Sequence, residues 1–123
     1  MNQKTVLIAD DENDIVETLQ FMFESEGFNV LTAFDGEEAL QAARTNNPDI
    51  ILLDVMMPKI NGYKVSRLLK FDKKFQDIPI IMLTARSQEE DKLIGEETGA
   101  NEYITKPFDI NDVIELVKQY LQG

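Results

Sequence analysis

Apolar residues in this chain follow two alternating rhythms. Short runs at Thr5–Asp10, Phe28–Thr32, Asp49–Asp54, Ile78–Thr84 and Glu102–Thr105 are rich in Val, Ile and Leu, several almost without interruption. Runs of that kind suit strands buried on both faces, as in a parallel sheet covered by helices. Between them the period lengthens to that of a helix. Across 14–26, Ile15, Val16, Leu19, Met22 and Phe23 fall at i, i+1, i+4, i+7 and i+8, one apolar stripe facing a sheet, and Gly27 supplies the stop. Asp35 with Glu38 forms a capping-box-like pair ahead of Ala39, Leu40 and Ala43, and Ser87 with Glu90 repeats the device ahead of a helix at 88–98 closed by Gly99. A helix at about 62–72 runs from Gly62 past Leu69, and in 110–121 Val113, Leu116, Val117, Tyr120 and Leu121 make a last core-facing stripe.

Five strand–helix units in strict alternation predict right-handed crossovers and an open, parallel α/β sheet. Ligands of such sheets bind outside the carboxyl ends of the strands, at the switch point of the strand order. The residues that end each strand are therefore the ones to examine for chemistry.

Composition narrows that chemistry. The chain has 123 residues, the size of one domain, and no low-complexity stretch or linker divides it. A chain of this length buries roughly two-thirds of its unfolded surface and folds without a metal or a disulfide. It contains neither cysteine nor histidine, which excludes thiol chemistry, zinc-thiolate sites and imidazole acid–base catalysis. Twelve Lys and Arg against 23 Asp and Glu leave a net charge of −11, which repels nucleic acid and anionic lipid and favours metal ions and basic partner surfaces. No apolar run approaches a membrane span, and MNQKTVLIADD enters the first strand without a signal-peptide pattern, so a cytoplasmic location is expected.

Strand one ends in Asp10-Asp11, strand three in Asp54 and strand four in Thr84; Lys106-Pro107 follows strand five. Taken singly, each has a plain structural use: a helix cap, a loop residue, a strand-end hydroxyl, a solvated charge. Together, at the ends of four strands, they bring three carboxylates to one edge of an apolar sheet. There they would repel one another and lose hydration, which raises carboxylate pKa values. A hard divalent cation such as Mg²⁺ resolves the conflict, since it takes a few carboxylate oxygens and keeps room for phosphate. With a lysine and a hydroxyl alongside, this is a minimal set for moving a phosphoryl group onto a carboxylate.

The motifs ADDE (9–12), LLDVMMPKINGY (52–63), MLTAR (82–86) and EYITKPF (102–108) resemble those of response-regulator receiver domains of bacterial two-component systems, the CheY-like family, and the resemblance runs from Thr5 to about Leu121. It implies a doubly wound (βα)5 flavodoxin-like sandwich with strand order 2-1-3-4-5. It also implies that Asp54 is phosphorylated, and that Asp10, Asp11, Asp54 and the backbone carbonyl of Met56 bind Mg²⁺. Thr84 and Lys106 would contact the phosphoryl oxygens, a cis peptide would precede Pro107, and Tyr103 would take the aromatic switch position. The implied donor is a sensor histidine kinase or phosphotransfer protein. The implied target is a downstream protein or output domain contacting the 87–121 face. A monomer is expected before phosphorylation, with a dimer afterwards left open.

Two flanking positions modulate this reading. Met56 cannot orient an attacking water by hydrogen bonding, so slow hydrolysis of the phosphoaspartate is expected; Arg86 is equally suited to phosphate, a partner or solvent. Rival classes fit less well. An FMN carrier needs a phosphate loop where DDEND stands, and a haloacid-dehalogenase-type phosphatase wants Asp-x-Asp at the first strand. A calcium loop from Asp10 would need glycine where Ile15 stands, and no nucleotide-binding glycine motif appears. A receiver-like binding module that takes no phosphate is the remaining alternative. The chain ends at Leu121-Gln122-Gly123, which leaves open a stand-alone receiver or the excised receiver of a larger protein.

Overall fold

A computed structural model describes residues 3–85 and 99–122. Within them the chain forms β1 (Thr5–Ala9), α1 (Asn13–Ser25), β2 (Asn29–Ala33), α2 (Gly36–Asn46), β3 (Ile50–Asp54), α3 (Gly62–Lys70), β4 (Ile80–Thr84), β5 (Glu102–Thr105) and α4 (Ile110–Leu121). The helix expected over 88–98, its Ser87–Glu90 start and Arg86 lie outside the described residues. All five strands are parallel, in the order β2-β1-β3-β4-β5. That is the order the resemblance implies, and it places the switch point between β1 and β3.

Alternation along the strands divides the interior into two layers. Leu7, Ala9, Ile51, Leu53 and Met82 face α2 and α3. Val6, Ile8, Ile50, Leu52, Ile81 and Leu83 face α1 and α4. Every residue of β3 and β4 is buried, as expected of central strands covered on both sides.

Helix ends follow local chemistry. The Asp35 side chain accepts from the Glu38 N–H at 2.8 Å, while Glu38 Oε1 accepts from the Phe34 N–H at 2.9 Å, so the reciprocal box reaches back one residue before the cap. Gly27, at φ +92°, follows α1 as the stop the sequence indicates. The helix expected to reach 72 ends instead at Lys70, because Phe71 takes the cap position and Asp72 starts a turn by accepting from the Lys74 N–H.

Two close approaches fix the loop between β3 and α3. A Cβ on Gly62 would stand 2.2 Å from the Asp54 carbonyl oxygen, and one on Gly36 would stand 1.7 Å from that of Ile60. Hydrogen bonds from Gly62 N–H to the Val55 carbonyl and from Gly36 N–H to the Pro58 carbonyl tie the same loop down. Residues 55–61 are thereby held against the end of β3, beside the carboxyl edge of the sheet.

Candidate acidic site at the carboxyl edge of the sheet

The carboxyl ends of β1, β3, β4 and β5 meet as expected. One carboxylate oxygen from each of Asp10, Asp11 and Asp54 lies within 4.8 Å of the others, the one such cluster among the described residues. Asp10 is fully buried and Asp54 is 4 % exposed, whereas Asp11 faces solvent. The strand bounds explain the arrangement. β1 stops at Ala9, and Asp10 turns its Oδ1 to accept the Glu12 N–H at 2.9 Å, opening the turn that leads into α1. This is a turn contact and not a helix cap, since Glu12 is itself the N-cap of α1 and that cap has no side-chain hydrogen bond; it coexists with the cluster because a carboxylate has two oxygens.

The other oxygen of Asp10 meets Lys106. The Lys106 ammonium donates to Asp10 Oδ2 at 2.8 Å, to Asp54 Oδ1 at 3.3 Å and to Glu12 Oε1 at 3.4 Å. Its backbone N–H donates to the Thr84 carbonyl at 2.6 Å, so β4 positions the lysine, and the Lys106–Pro107 peptide is cis as expected. Glu12 is the member of this group that sequence reasoning misses. Its only signal there is its place as third acid of the ADDE motif, and the contact with Lys106 spans 94 positions of chain.

Charge in this cleft is unbalanced. Burial pushes the Asp54 carboxyl up to about 7, the buried Asp10 charge adds to the rise, and Lys106 opposes it. At neutral pH the metal-free group is thus divided between its acid and its carboxylate. Burial alone would lower the Lys106 ammonium, but its hydrogen bond to Asp10 and the charges of Asp54 and Asp10 hold it above its ordinary value. One ammonium cannot neutralise three clustered carboxylates. The donor set is all oxygen, compact, and open to water on the Asp11 side, which fits a hard divalent cation that keeps part of its hydration.

Thr84 is buried at the end of β4, in register with Thr105. Tyr103 is half-buried, in register with Met82 and packed on the layer shared with α2 and α3. Met56 follows Asp54 by two positions and is 64 % exposed at the rim of the cleft. Among the described residues, no helix is long and apolar enough to cross a membrane.

The comparisons with known proteins agree with this geometry. Residues 6–118 match the family model described as the response regulator receiver domain. The chain is 48 % identical over 122 residues to the alkaline phosphatase synthesis transcriptional regulatory protein PhoP of Bacillus subtilis (strain 168), covering 99 % of this chain and 50 % of that protein, so it spans about half the length of this curated relative. Its fold superposes with a TM-score of 0.90 on the receiver domain of a Francisella response regulator, at 37 % identity and 98 % coverage of both chains. It superposes with a TM-score of 0.85 on the response regulator TrrA of Thermotoga maritima, solved in complex with Mg²⁺-BeF, at 38 % identity over 97 % of this chain and all of that one. With its five-stranded 2-1-3-4-5 sheet and its buried acidic cleft, the chain belongs to the response regulator receiver domains of two-component systems.

Proposed function

We propose that Asp54 accepts a phosphoryl group from a phosphohistidine of a sensor histidine kinase or phosphotransfer protein, and also from small phosphodonors. The observation that carries this reading is the buried Asp54 carboxyl, sharing one lysine with Asp10 at the switch point of the sheet. In the transfer, the Asp54 oxygen–phosphorus bond forms as the nitrogen–phosphorus bond of the donor breaks. The electron pair leaves on the imidazole, which takes its proton from solvent. Asp54 attacks as the carboxylate. Lys106 swings from its resting partners to a phosphoryl oxygen, and the Thr84 hydroxyl donates to another. Asp10, Asp11, Asp54 and the Met56 backbone carbonyl are the groups suited to hold Mg²⁺. When bound, the ion neutralises the carboxylates and the charge of the transferring phosphate.

The phosphoryl group then carries roughly two negative charges into a cleft that already holds an excess of them, which draws Thr84 and Lys106 toward it. We assign Tyr103 as the aromatic group that follows Thr84, biasing a two-state equilibrium that changes the 87–121 face presented to a downstream protein or output domain. The reading treats residues 1–123 as one receiver working in the cytoplasm, monomeric before phosphorylation. The activity of any longer protein resembling PhoP belongs to the same proposal. Treatment with a phosphodonor and Mg²⁺, then borohydride, which converts an aspartyl phosphate to homoserine, tests the assignment by peptide mapping. Homoserine at position 54 is expected; homoserine at another acidic position would overturn it.

A further inference from the structure

Charge is distributed very unevenly over this chain. Six of its twelve Lys and Arg fall in residues 59–74 with a single acidic residue, so that segment carries +5 and the remainder −16. No Lys or Arg occurs between Lys4 and Arg44, a span that contains the whole of α1. The fold puts these regions on opposite sides of the sheet, since α3 packs on one apolar layer through Val65 and Leu69, and α1 on the other through Val16, Leu19 and Phe23.

The outer surfaces of the two helices share a spacing. On α1, Asp14, Glu17, Phe21 and Glu24 are all exposed and fall at i, i+3, i+7 and i+10, one stripe along the helix. On α3 and its cap, Lys64, Arg67 and Phe71 repeat i, i+3 and i+7 with the charge reversed, and exposed Lys73 and Lys74 follow in the turn. Each stripe centres on an aromatic ring standing in solvent, Phe21 at 64 % exposure and Phe71 at 74 %. The Arg67 guanidinium lies 5.9 Å from the Phe71 ring centroid, so the basic stripe already pairs its cation with its aromatic. A large exposed apolar side chain ringed by one sign of charge is the composition of an interface anchor.

We propose that the acidic α1 stripe of one copy docks on the basic α3 stripe of a second copy. Pairing a stripe with itself would set like charges together, so the contact is heterologous and leaves a free stripe at each end of the assembly. Both helices are short: 13 and 9 residues. Such a pair buries less than the roughly 800 Å² per partner of a stable interface, which makes the association weak and strongly dependent on ionic strength. Neither stripe contains a member of the Asp10, Asp11 and Asp54 cluster.

Sedimentation velocity on the whole chain tests this at about 20 mM and about 500 mM salt, where screening differs severalfold. At low salt the weight-average sedimentation coefficient is expected to rise with concentration without levelling at a dimer; at high salt it stays at the single-chain value. Glu17→Lys with Glu24→Lys, and separately Lys64→Glu with Arg67→Glu, each stay monomeric at low salt, while a mixture of the two associates. Phe21→Ser, with every charge intact, weakens self-association about fivefold, which separates stripe pairing from bulk attraction. All five positions are exposed, and circular dichroism checks that each variant is folded. Wild type at the single-chain mass at low salt, either charge variant associating as wild type does, or an unmoved Phe21→Ser would overturn the proposal.

Discussion

Replacing Asp54 by Asn should stabilise the metal-free protein, and by an amount that grows with pH. The native carboxyl is buried beside Asp10, which lifts it from an ordinary 3.8 to about 7. The folded state therefore holds this proton more tightly than the unfolded chain does. Stability is lost as pH rises from the unfolded value through the folded one, and the full penalty is present above about pH 7. A rise from 3.8 to about 7 corresponds to a ceiling of about 4 kcal/mol. Water and counter-ions reach the cleft on the Asp11 side and screen it, so about half of that, on the order of 2 kcal/mol, is expected at pH 8. For a domain of this length, 2 kcal/mol corresponds to about 8 °C in Tm. The amide keeps the shape of the neutral acid and still accepts from Lys106. Thermal melts followed by circular dichroism, in chelator, should show the Asn variant above wild type by about this margin at pH 8 and by much less near pH 4. Comparing the two proteins cancels the other 22 acidic residues, whose titration both share. Mg²⁺ should then raise wild type more than the variant. An Asn variant that melts lower at pH 8, or a gap that ignores pH, would refute the electrostatic reasoning.

Lys106→Met removes the one ammonium that, among the described residues, meets the clustered acids, and should cost about 3 kcal/mol at pH 7 in urea unfolding, with phosphorylation of Asp54 strongly slowed; the destabilisation should shrink near pH 4. Gly62→Ala drives a Cβ to 2.2 Å from the Asp54 carbonyl oxygen and should destabilise by about 2–3 kcal/mol. The same variant should slow phosphorylation, because the 55–61 loop must shift. Gly27→Ala meets nothing within 4 Å, so only its positive φ is strained and about 1 kcal/mol is expected, without an effect on phosphorylation. Met56→Asn puts a hydrogen-bonding amide at the exposed rim of the cleft and should speed loss of the phosphoryl group severalfold in a decay assay; an unchanged lifetime would remove Met56 as the cause of slow hydrolysis.

Most of the scaffold is legible in the chain because its rules are local. Apolar runs such as IILLD declare strands covered on both faces, and Asp35 with Glu38 declares a helix start. The residues at the strand ends are equally visible, since the parallel sheet forces Asp10, Asp54, Thr84 and Lys106 to one edge. What escapes sequence reasoning is long-range or geometric. Lys106 reaches across 96 positions to Asp10, and no periodicity marks that pair. Gly62 and Gly36 read as ordinary helix-start residues until the Asp54 and Ile60 carbonyls are seen against them. The stop of α3 at Lys70 depends on a turn hydrogen bond from Lys74 to Asp72, which competes with two further residues of helix and leaves Phe71 in solvent.

The central claim is that crowded carboxylates become a reaction site once a divalent cation shares them. Intact mass after incubation with acetyl phosphate, across a titration of Mg²⁺, measures it most directly. The account predicts an increment of one phosphoryl group that appears and saturates with Mg²⁺, vanishes in chelator, and is absent from Asp54→Asn. The same increment at the same rate without any divalent ion, or on Asp54→Asn, would contradict it.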